Sequence, residues 1–308
     1  MILSVSRRTD IPCYYAEWFA NRVRAGFCLT RNPRNPAQLY RIPITPVVGN
    51  CIVFWTKDPE RLLPFLPELD GRGFRYYFQF TVTPYGREIE PGLRQKEQIE
   101  RTFLSLSEQI GRRRVVWRYD PILLCDGVDI AFHKAQFRRM CEKFADATDR
   151  VVISFVDWYP KFRKGKFRLL SQGEMIELAG FLGETAKEYG LQAMACCEGM
   201  DLTPYGIVSS ACIDPKMVAE VCGCPVLAKP DKNQRPGCGC CESVDIGAYN
   251  TCGNGCVYCY ANDSPETTRR RLASHRPESP ILIGDIREGE TILERNYRSH
   301  RLEQLTLY

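Results

Sequence analysis

The sequence contains few histidines and no long hydrophobic run. Only three of its 308 residues are histidine, and no apolar run approaches the roughly 18 residues that a membrane span requires. The opening segment places Arg7, Arg8 and Asp10 where a signal peptide would need an apolar stretch. We therefore expect neither membrane insertion nor export, and a protein that works in the cytoplasm.

The overall composition is that of an ordinary globular protein. Hydrophobic side chains make up 44% and charged side chains 26% of the chain, which is long enough to bury one large core. The net charge of +5 is mildly basic, and taken alone it is weak evidence for a nucleic-acid partner.

Cysteine is present in excess, with 16 copies. A chain of this length needs no disulfides for stability, and eleven of the cysteines lie between Cys196 and Cys259. Such a concentration is typical of metal binding, because several thiolates must converge on one centre, although a disulfide scaffold is the alternative. The cysteines of the first half are isolated and are expected to fill gaps in the core: Cys13, Cys28, Cys51, Cys125 and Cys141.

Apolar runs and amphipathic segments alternate over residues 1–200. The apolar runs are short and rich in Val, Ile, Phe and Tyr, as buried parallel strands are, and they cover residues 2–6, 51–56, 76–82, 115–119, 151–156 and 191–196. The helix-like segments between them are residues 15–25, 60–69, 93–110, 130–144 and 173–189. Six strand–helix units in series predict an α/β fold with a parallel sheet, and either an open doubly wound sheet or a barrel fits them. Residues 31–46, with several prolines, are expected to form an irregular or hairpin insertion.

Polar clusters at the carboxyl ends of the predicted strands favour the barrel. In β/α barrels the loops after the strands converge on one rim, and that rim carries the active site. We therefore predict a partial (β/α)6-type parallel barrel whose rim residues bind ligand or act in catalysis: Arg7, Arg8, Asp10, Lys57, Arg118, Asp120 and Asp157. Helix capping explains Asp58 and Asp120 equally well, because proline follows each of them.

The periodic pattern ends near Asp201. Glycine, proline and cysteine dominate as far as Asn262, and the sequence predicts a single helix there, at residues 215–221. A segment that cannot bury an apolar face needs another source of folding free energy, and metal coordination would supply it. The expected organisation is a partial barrel at residues 1–200, a cysteine-rich segment at 201–262 and a partly irregular tail at 263–308.

The loop TCGNGCVYC at residues 251–259 carries the sharpest chemical signal. Its three cysteines have the spacing C-x3-C-x2-C, and its two glycines allow the backbone to wrap closely around a bound group. Three thiolates at this spacing can hold three corners of a 4Fe–4S cluster and leave the fourth iron open to a small chelating molecule. A structural zinc site is the alternative, because thiolates suit zinc equally well.

This spacing, with an aromatic residue directly before the last cysteine, resembles the signature loop of the radical S-adenosylmethionine enzymes. The resemblance implies that Cys252, Cys256 and Cys259 hold the cluster and that Tyr258 belongs to the cofactor-binding loop. It also implies S-adenosylmethionine as a cofactor, an electron donor such as ferredoxin or flavodoxin, and a partial or full β/α barrel. In that superfamily the loop follows the first strand, whereas here it lies near the carboxyl end. We therefore expect a C-terminal segment that folds back over the barrel mouth.

The chain also resembles, over nearly its whole length, a microbial family defined only as a domain of unknown function. The shared segments are SVSRRTDIP at residues 4–12, FWTK at 54–57, WRYDP at 117–121 and DIGAYN at 245–250. This resemblance implies a second ligand group, formed by Cys196, Cys212, Cys238 and Cys240. Four such thiolates can bind an auxiliary 4Fe–4S cluster or a zinc ion.

The substrate is open between a small molecule and a nucleic acid. The chain ends with Gln304-Leu305-Thr306-Leu307-Tyr308, which resembles the peptide that docks bacterial repair proteins on the sliding clamp. That likeness implies a role at DNA akin to spore photoproduct lyase, and packing of the tail leucines on the barrel is the alternative. Two other functions stay open. One is a non-catalytic iron–sulfur or zinc protein that binds a partner such as DNA, and the other is a barrel hydrolase with purely structural cysteines.

Overall fold

The computed structural model describes residues 1–32, 35–49, 51–160, 162, 166–235 and 237–301. Its strands, numbered in chain order, are β1 (Ile2–Val5), β2 (Phe27–Asn32), β3 (Asn35–Pro43), β4 (Cys51–Thr56), β5 (Tyr76–Thr81), β6 (Val115–Ile122), β7 (Arg150–Phe155), β8 (Gln192–Ala195), β9 (Val208–Ser209), β10 (Val244–Asp245) and β11 (Thr291–Glu294). Eight of them form one parallel sheet in the order β10-β1-β4-β5-β6-β7-β8-β9.

The six inner strands of this sheet are the six apolar runs of the sequence. They lie in the sheet in the order in which they occur in the chain, and each pairs in parallel with the next. Parallel neighbours need a crossover connection, which the intervening helical segments provide. The prediction of an α/β fold with a parallel sheet is confirmed.

One face of the sheet is covered by helices. The helices of the described chain are α1 (Ile11–Tyr14), α2 (Ala16–Ala25), α3 (Leu66–Gly71), α4 (Lys96–Ile110), α5 (Ile130–Phe144), α6 (Gln172–Glu188), α7 (Pro215–Cys222) and α8 (Pro265–Ala273). Apolar residues of α2 to α6 pack in one cluster with alternate strand residues such as Phe54, Phe78 and Trp117. Because successive strand residues point to opposite faces, these five helices lie on the same side of the sheet. A doubly wound sheet would carry the helices that connect its strands on both faces.

The opposite face is covered by the cysteine-rich segment. Strand residues of the other parity, such as Val53 and Tyr77, pack against Met217 and Val218 of α7 and against buried cysteines including Cys212. This face gives the segment an apolar surface on which to pack, although the segment has no apolar periodicity of its own.

The sheet does not close on itself within the described residues. Its outermost strands, β9 and β10, have two residues each and pair with β8 and β1 rather than with each other. The connecting helices lie along one face of this open sheet, and the (β/α)6 barrel stays a prediction. The cysteine-rich segment supplies both edge strands of the sheet. The division of the chain at residues 200 and 262 stays a prediction.

The predicted insertion is an antiparallel hairpin of β2 and β3, which β11 of the tail extends into a three-stranded sheet. The tail also contains α8, which carries three consecutive arginines at residues 269–271. The tail then returns to the start of the chain. There the Met1 amino group donates to the carbonyl oxygen of Arg298 at 2.6 Å. The predicted clamp-binding peptide, residues 304–308, lies outside the described residues.

Replacement of Gly183 by alanine is expected to destabilise this fold. A Cβ at position 183 of α6 would lie 1.8 Å from the carbonyl oxygen of Tyr205, so the segment after β8 would have to shift. We expect the free energy of unfolding to fall by about 1–3 kcal/mol, measured by urea denaturation under reducing conditions. Gly180→Ala in the same helix is the control, because its Cβ would meet nothing closer than 3.9 Å. An equal loss of stability in both variants would contradict the prediction.

Candidate functional site

A cavity of about 520 Å³ opens at the carboxyl ends of the parallel strands. Its walls come from the carboxyl-terminal parts of β4, β5, β6 and β7, from the segments that follow β1, β4, β7 and β8, and from the cysteine-rich segment, including the cysteine loop at residues 251–259. Every residue predicted as catalytic, cofactor-binding or metal-ligating lines it: Arg7, Arg8, Asp10, Lys57, Arg118, Asp120, Asp157, Cys196, Cys212, Cys238, Cys240, Cys252, Cys256, Tyr258 and Cys259. The fold therefore brings these residues to one place, while their individual roles stay predictions.

The cysteine loop is anchored by residues from the start of the chain. The Tyr14 hydroxyl donates to Asn254 Oδ1 at 2.9 Å, and the Asn254 amide donates to Asp10 Oδ2 at 3.2 Å. The Tyr15 hydroxyl donates to the carbonyl oxygen of Thr251 at 2.5 Å. These bonds join segments more than two hundred residues apart in sequence and hold the loop at the cavity.

Two glycines allow the loop to approach its neighbours closely. The Gly92 amide donates to the carbonyl oxygen of Asn254 at 2.9 Å, and a Cβ at position 92 would lie 2.2 Å from the carbonyl oxygen of Gly253. A Cβ at position 253 would lie 2.7 Å from ring atoms of Tyr14. A larger residue at position 92 or 253 would clash with these atoms and displace the cysteine loop.

Three thiols of the loop are available to a metal centre. Cys252, Cys256 and Cys259 are half-buried, and all three line the cavity. Burial raises the pKa of the Cys256 thiol to about 12 and also holds the pKa of Cys252 well above its usual value. Binding of a metal would displace the thiol protons. Three thiols are the donor set that a cluster with three protein ligands requires, and the adjoining cavity has room for a further ligand from outside the protein.

A buried carboxylate lies beside this loop. Glu90 is 1% exposed and accepts hydrogen bonds from Lys57 Nζ at 2.8 Å and from Thr83 Oγ1 at 2.9 Å. The Lys96 ammonium and the Tyr258 hydroxyl also donate to it. Although burial acts to raise the pKa of Glu90, the two lysines lower it to about 2, so the carboxylate is charged at neutral pH. Glu90 thus links Lys57, at the end of β4, to Tyr258 of the cysteine loop.

The Asp10 carboxylate accepts hydrogen bonds from several parts of the chain. It accepts from Thr56 Oγ1 at 2.7 Å, from the Lys57 amide at 2.7 Å and from the Cys13 amide at 3.1 Å, in addition to Asn254. Burial raises its pKa to about 6, although these hydrogen bonds oppose the rise. Asp10 therefore caps α1 and ties the end of β4 to the cysteine loop.

The second cysteine group is compact. The Sγ atoms of Cys196, Cys238 and Cys240 lie within 4.8 Å of one another, so these three residues could hold a metal ion. Hydrogen bonds to Cys196 and Cys240 lower the pKa of the Cys212 thiol, and the Arg118 guanidinium, which donates to Cys212 Sγ at 3.2 Å, lowers it further. The fourth predicted ligand thus lies next to two of the other three, Cys196 and Cys240.

Arg118 connects this group to the cavity wall. Its guanidinium is ion-paired with Asp120 and also donates to Gln79 Oε1 at 3.2 Å. Asp157 is ion-paired with Arg235, which lies in the cysteine-rich segment and also lines the cavity.

Sequence reasoning missed Glu90, Asn254 and Arg235. Glu90 lies in the long connection between β5 and α4, where no strand end or motif marks it. Asn254 lies inside the cysteine motif, whose spacing indicates a role for the cysteines and none for the residues between them. A buried carboxylate is recognised by its partners, and those partners come from four separate segments of the chain.

Residues 2–261 match the family described as "Domain of unknown function (DUF1848)". The chain belongs to the DUF1848 family. The match includes every residue that lines the cavity and ends before α8 and the tail. No curated protein and no solved structure matches the chain. In the described part of this family member, none of the helices combines the length and apolar character that crossing a bilayer requires.

Proposed function

We propose that the chain is a radical S-adenosylmethionine-type enzyme that works in the cytoplasm. In this proposal Cys252, Cys256 and Cys259 hold a 4Fe–4S cluster, and S-adenosylmethionine binds beside it. The observation that supports it is the position of these three thiols in the cavity at the strand ends. We further propose that the open sheet is the wall of a partial barrel, with the cysteine-rich segment as a metal-organised unit.

The bound cluster, reduced by a ferredoxin or flavodoxin, would supply one electron that splits S-adenosylmethionine into methionine and a 5′-deoxyadenosyl radical, which takes a hydrogen atom from the substrate. The chain's own residues would bind and orient the reactants. The ion-paired group of two lysines and one carboxylate has a net charge of +1, and it consists of Lys57, Lys96 and Glu90. Lys57 lines the cavity. We propose that Lys57, positioned by Glu90, binds the carboxylate of S-adenosylmethionine.

At the second cysteine group we propose a zinc ion. A tetrahedral zinc site with Zn–S bonds of about 2.3 Å has its thiolates about 3.8 Å apart, whereas a four-iron cluster spreads them further. The separation of at most 4.8 Å among three of the thiols supports the single ion. Four thiolates would close the site, as in structural zinc sites, and would join the cysteine-rich segment to the end of β8. An auxiliary 4Fe–4S cluster at the same cysteines is the alternative.

The test is incubation of the anaerobically reconstituted, reduced protein with S-adenosylmethionine. We expect release of 5′-deoxyadenosine, measured by liquid chromatography, and no release when the reductant is omitted. Absence of release at several redox potentials would overturn the enzymatic proposal and favour a non-catalytic metalloprotein that binds a partner. Metal analysis of the same sample should give about four iron atoms and one zinc atom per chain. About eight iron atoms and no zinc would indicate the auxiliary cluster.

A further inference from the structure

One part of the cavity contains hydrogen-bond donors that the protein leaves unused. Arg7 Nη2 and Thr9 Oγ1 are both buried and have no hydrogen-bond partner among the described residues. The Thr9 residue is 5% exposed, and the Arg7 guanidinium lies 4.0 Å from the carboxylate of Asp231 through its other terminal nitrogen, Nη1. Burying such groups without a partner is costly, so a ligand with acceptor oxygens is the expected partner.

The charge of the cavity favours an anion. Its lining includes five cationic side chains and only three carboxylates. The cations are Arg7, Arg8, Lys57, Arg118 and Arg235. Arg7 lies over the ring of Trp55, with Cζ 5.1 Å from the ring centroid, and this contact holds the guanidinium at the cavity wall.

Aromatic rings lie at the same cavity with large exposed fractions. Tyr159 is 39% and Tyr260 46% exposed, and their rings are stacked with centroids 6.1 Å apart. The Tyr260 hydroxyl donates to the carbonyl oxygen of Arg7 at 2.6 Å, which places this tyrosine beside the Arg7 backbone, and both residues line the cavity. Outside the cavity lining, Tyr249 is 46% exposed and lies against the Arg8 guanidinium. Exposed aromatic faces beside guanidinium groups suit planar, anionic ligands.

We infer that this part of the cavity binds a nucleotide. Arg7 Nη2 and Thr9 Oγ1 donate to the phosphate, and the base stacks on the Tyr159–Tyr260 pair. The inference deepens the proposed function, because it assigns the substrate class of the same cavity, but binding itself needs neither cluster nor S-adenosylmethionine. The nucleotide could be a free mononucleotide or one residue of a single-stranded nucleic acid. The exposed tyrosines and arginines continue from the cavity to Tyr249 and Arg8, and this extended surface favours a single-stranded nucleic acid.

The test is a binding titration with two probes on the full-length protein, without reductant. The probes are a short fluorescein-labelled single-stranded oligothymidylate, followed by fluorescence anisotropy, and free thymidine 5′-monophosphate, followed by calorimetry. We expect saturable binding of the oligonucleotide, which persists when S-adenosylmethionine is added in excess. Binding of the free nucleotide alone would assign the free form, and saturable binding of neither probe would overturn the inference.

Two variants locate the binding. Tyr159→Ala, at an exposed position, is expected to raise the Kd of the oligonucleotide roughly ten-fold through loss of stacking. Arg7→Gln is expected to raise it as well and to reduce the salt dependence of log Kd by about 0.7, as the loss of one phosphate contact does. Arg113→Gln is the control, because Arg113 is 86% exposed and is not part of the cavity lining. Equal effects of Arg113→Gln and Arg7→Gln, or no effect of Tyr159→Ala, would contradict the assigned site.

Release of 5′-deoxyadenosine is measured separately, so the two proposals fail independently. Nucleotide binding without release would leave a nucleotide-binding protein that is not a radical enzyme. Release without nucleotide binding would leave the enzyme and remove the assigned substrate class.

Discussion

Cys256→Ala is expected to abolish 5′-deoxyadenosine release. Cys256 is the middle ligand of the proposed cluster and lies near Glu90 and Lys57 at the cavity. With two remaining thiolates the cluster would lose one of its three protein ligands. We expect iron content to fall by about four atoms per chain, and release of 5′-deoxyadenosine to fall to the level without protein.

Cys125→Ala is the matched control for this prediction. Cys125 is also a half-buried free thiol, but it lies in the connection between β6 and α5 and is not part of the cavity lining. Its replacement should leave iron content and product release unchanged. Full iron content in Cys256→Ala would exclude the cluster ligation proposed here. A catalytic activity of any kind that survives this substitution would instead favour a hydrolase whose cysteines are structural.

Glu90→Gln is expected to cause the largest loss of stability outside the apolar core. The substitution keeps the shape of the side chain but removes the charge that balances two lysines, and the Glu90 side chain is fully buried. Removal of one partner from a buried ion pair typically costs about 3–5 kcal/mol. We expect a decrease near the lower limit, about 3 kcal/mol, because Lys57 and Lys96 keep 14% and 19% of their side-chain surface in contact with solvent.

The measurement is urea denaturation of the anaerobically reconstituted, reduced protein, followed by circular dichroism. Glu177→Gln is the control, because Glu177 is paired with Lys134 at the surface and is 54% exposed. Such pairs contribute less than about 1 kcal/mol. If the two variants lose the same small amount of stability, the carboxylate at position 90 is not the buried centre of charge described here.

The secondary structure of the first two hundred residues follows from local patterns. The strand at residues 51–56 is a continuous apolar run, as expected of a strand with both faces covered, and the structure has it at Cys51–Thr56. Helix α5 begins and ends at Ile130 and Phe144, the bounds that apolar spacing predicted, and Asp129 caps it by accepting from the Phe132 amide at 2.7 Å. Helix α3 is shorter than the predicted segment 60–69, because part of that segment forms a 3-10 turn that contains Pro64.

The edge strands were not predictable in this way. Val208–Ser209 and Val244–Asp245 have two residues each, too few to show an alternation. Asp245 is placed by contacts with the start of the chain, where it accepts from the hydroxyls of Ser4 at 2.8 Å and Ser6 at 2.7 Å. Such pairing depends on residues about 240 positions away, which no local window contains.

Local patterns of this chain specify its strands, its helices and the three-cysteine loop, because each depends on residues a few positions apart. The meeting of that loop with the strand ends, the compact second cysteine group and the buried Glu90 arise only in the tertiary structure. The physical reason is that a thiolate or carboxylate site is defined by distances of a few ångströms between side chains from distant segments. The packing of the cysteine-rich segment against the sheet sets those distances.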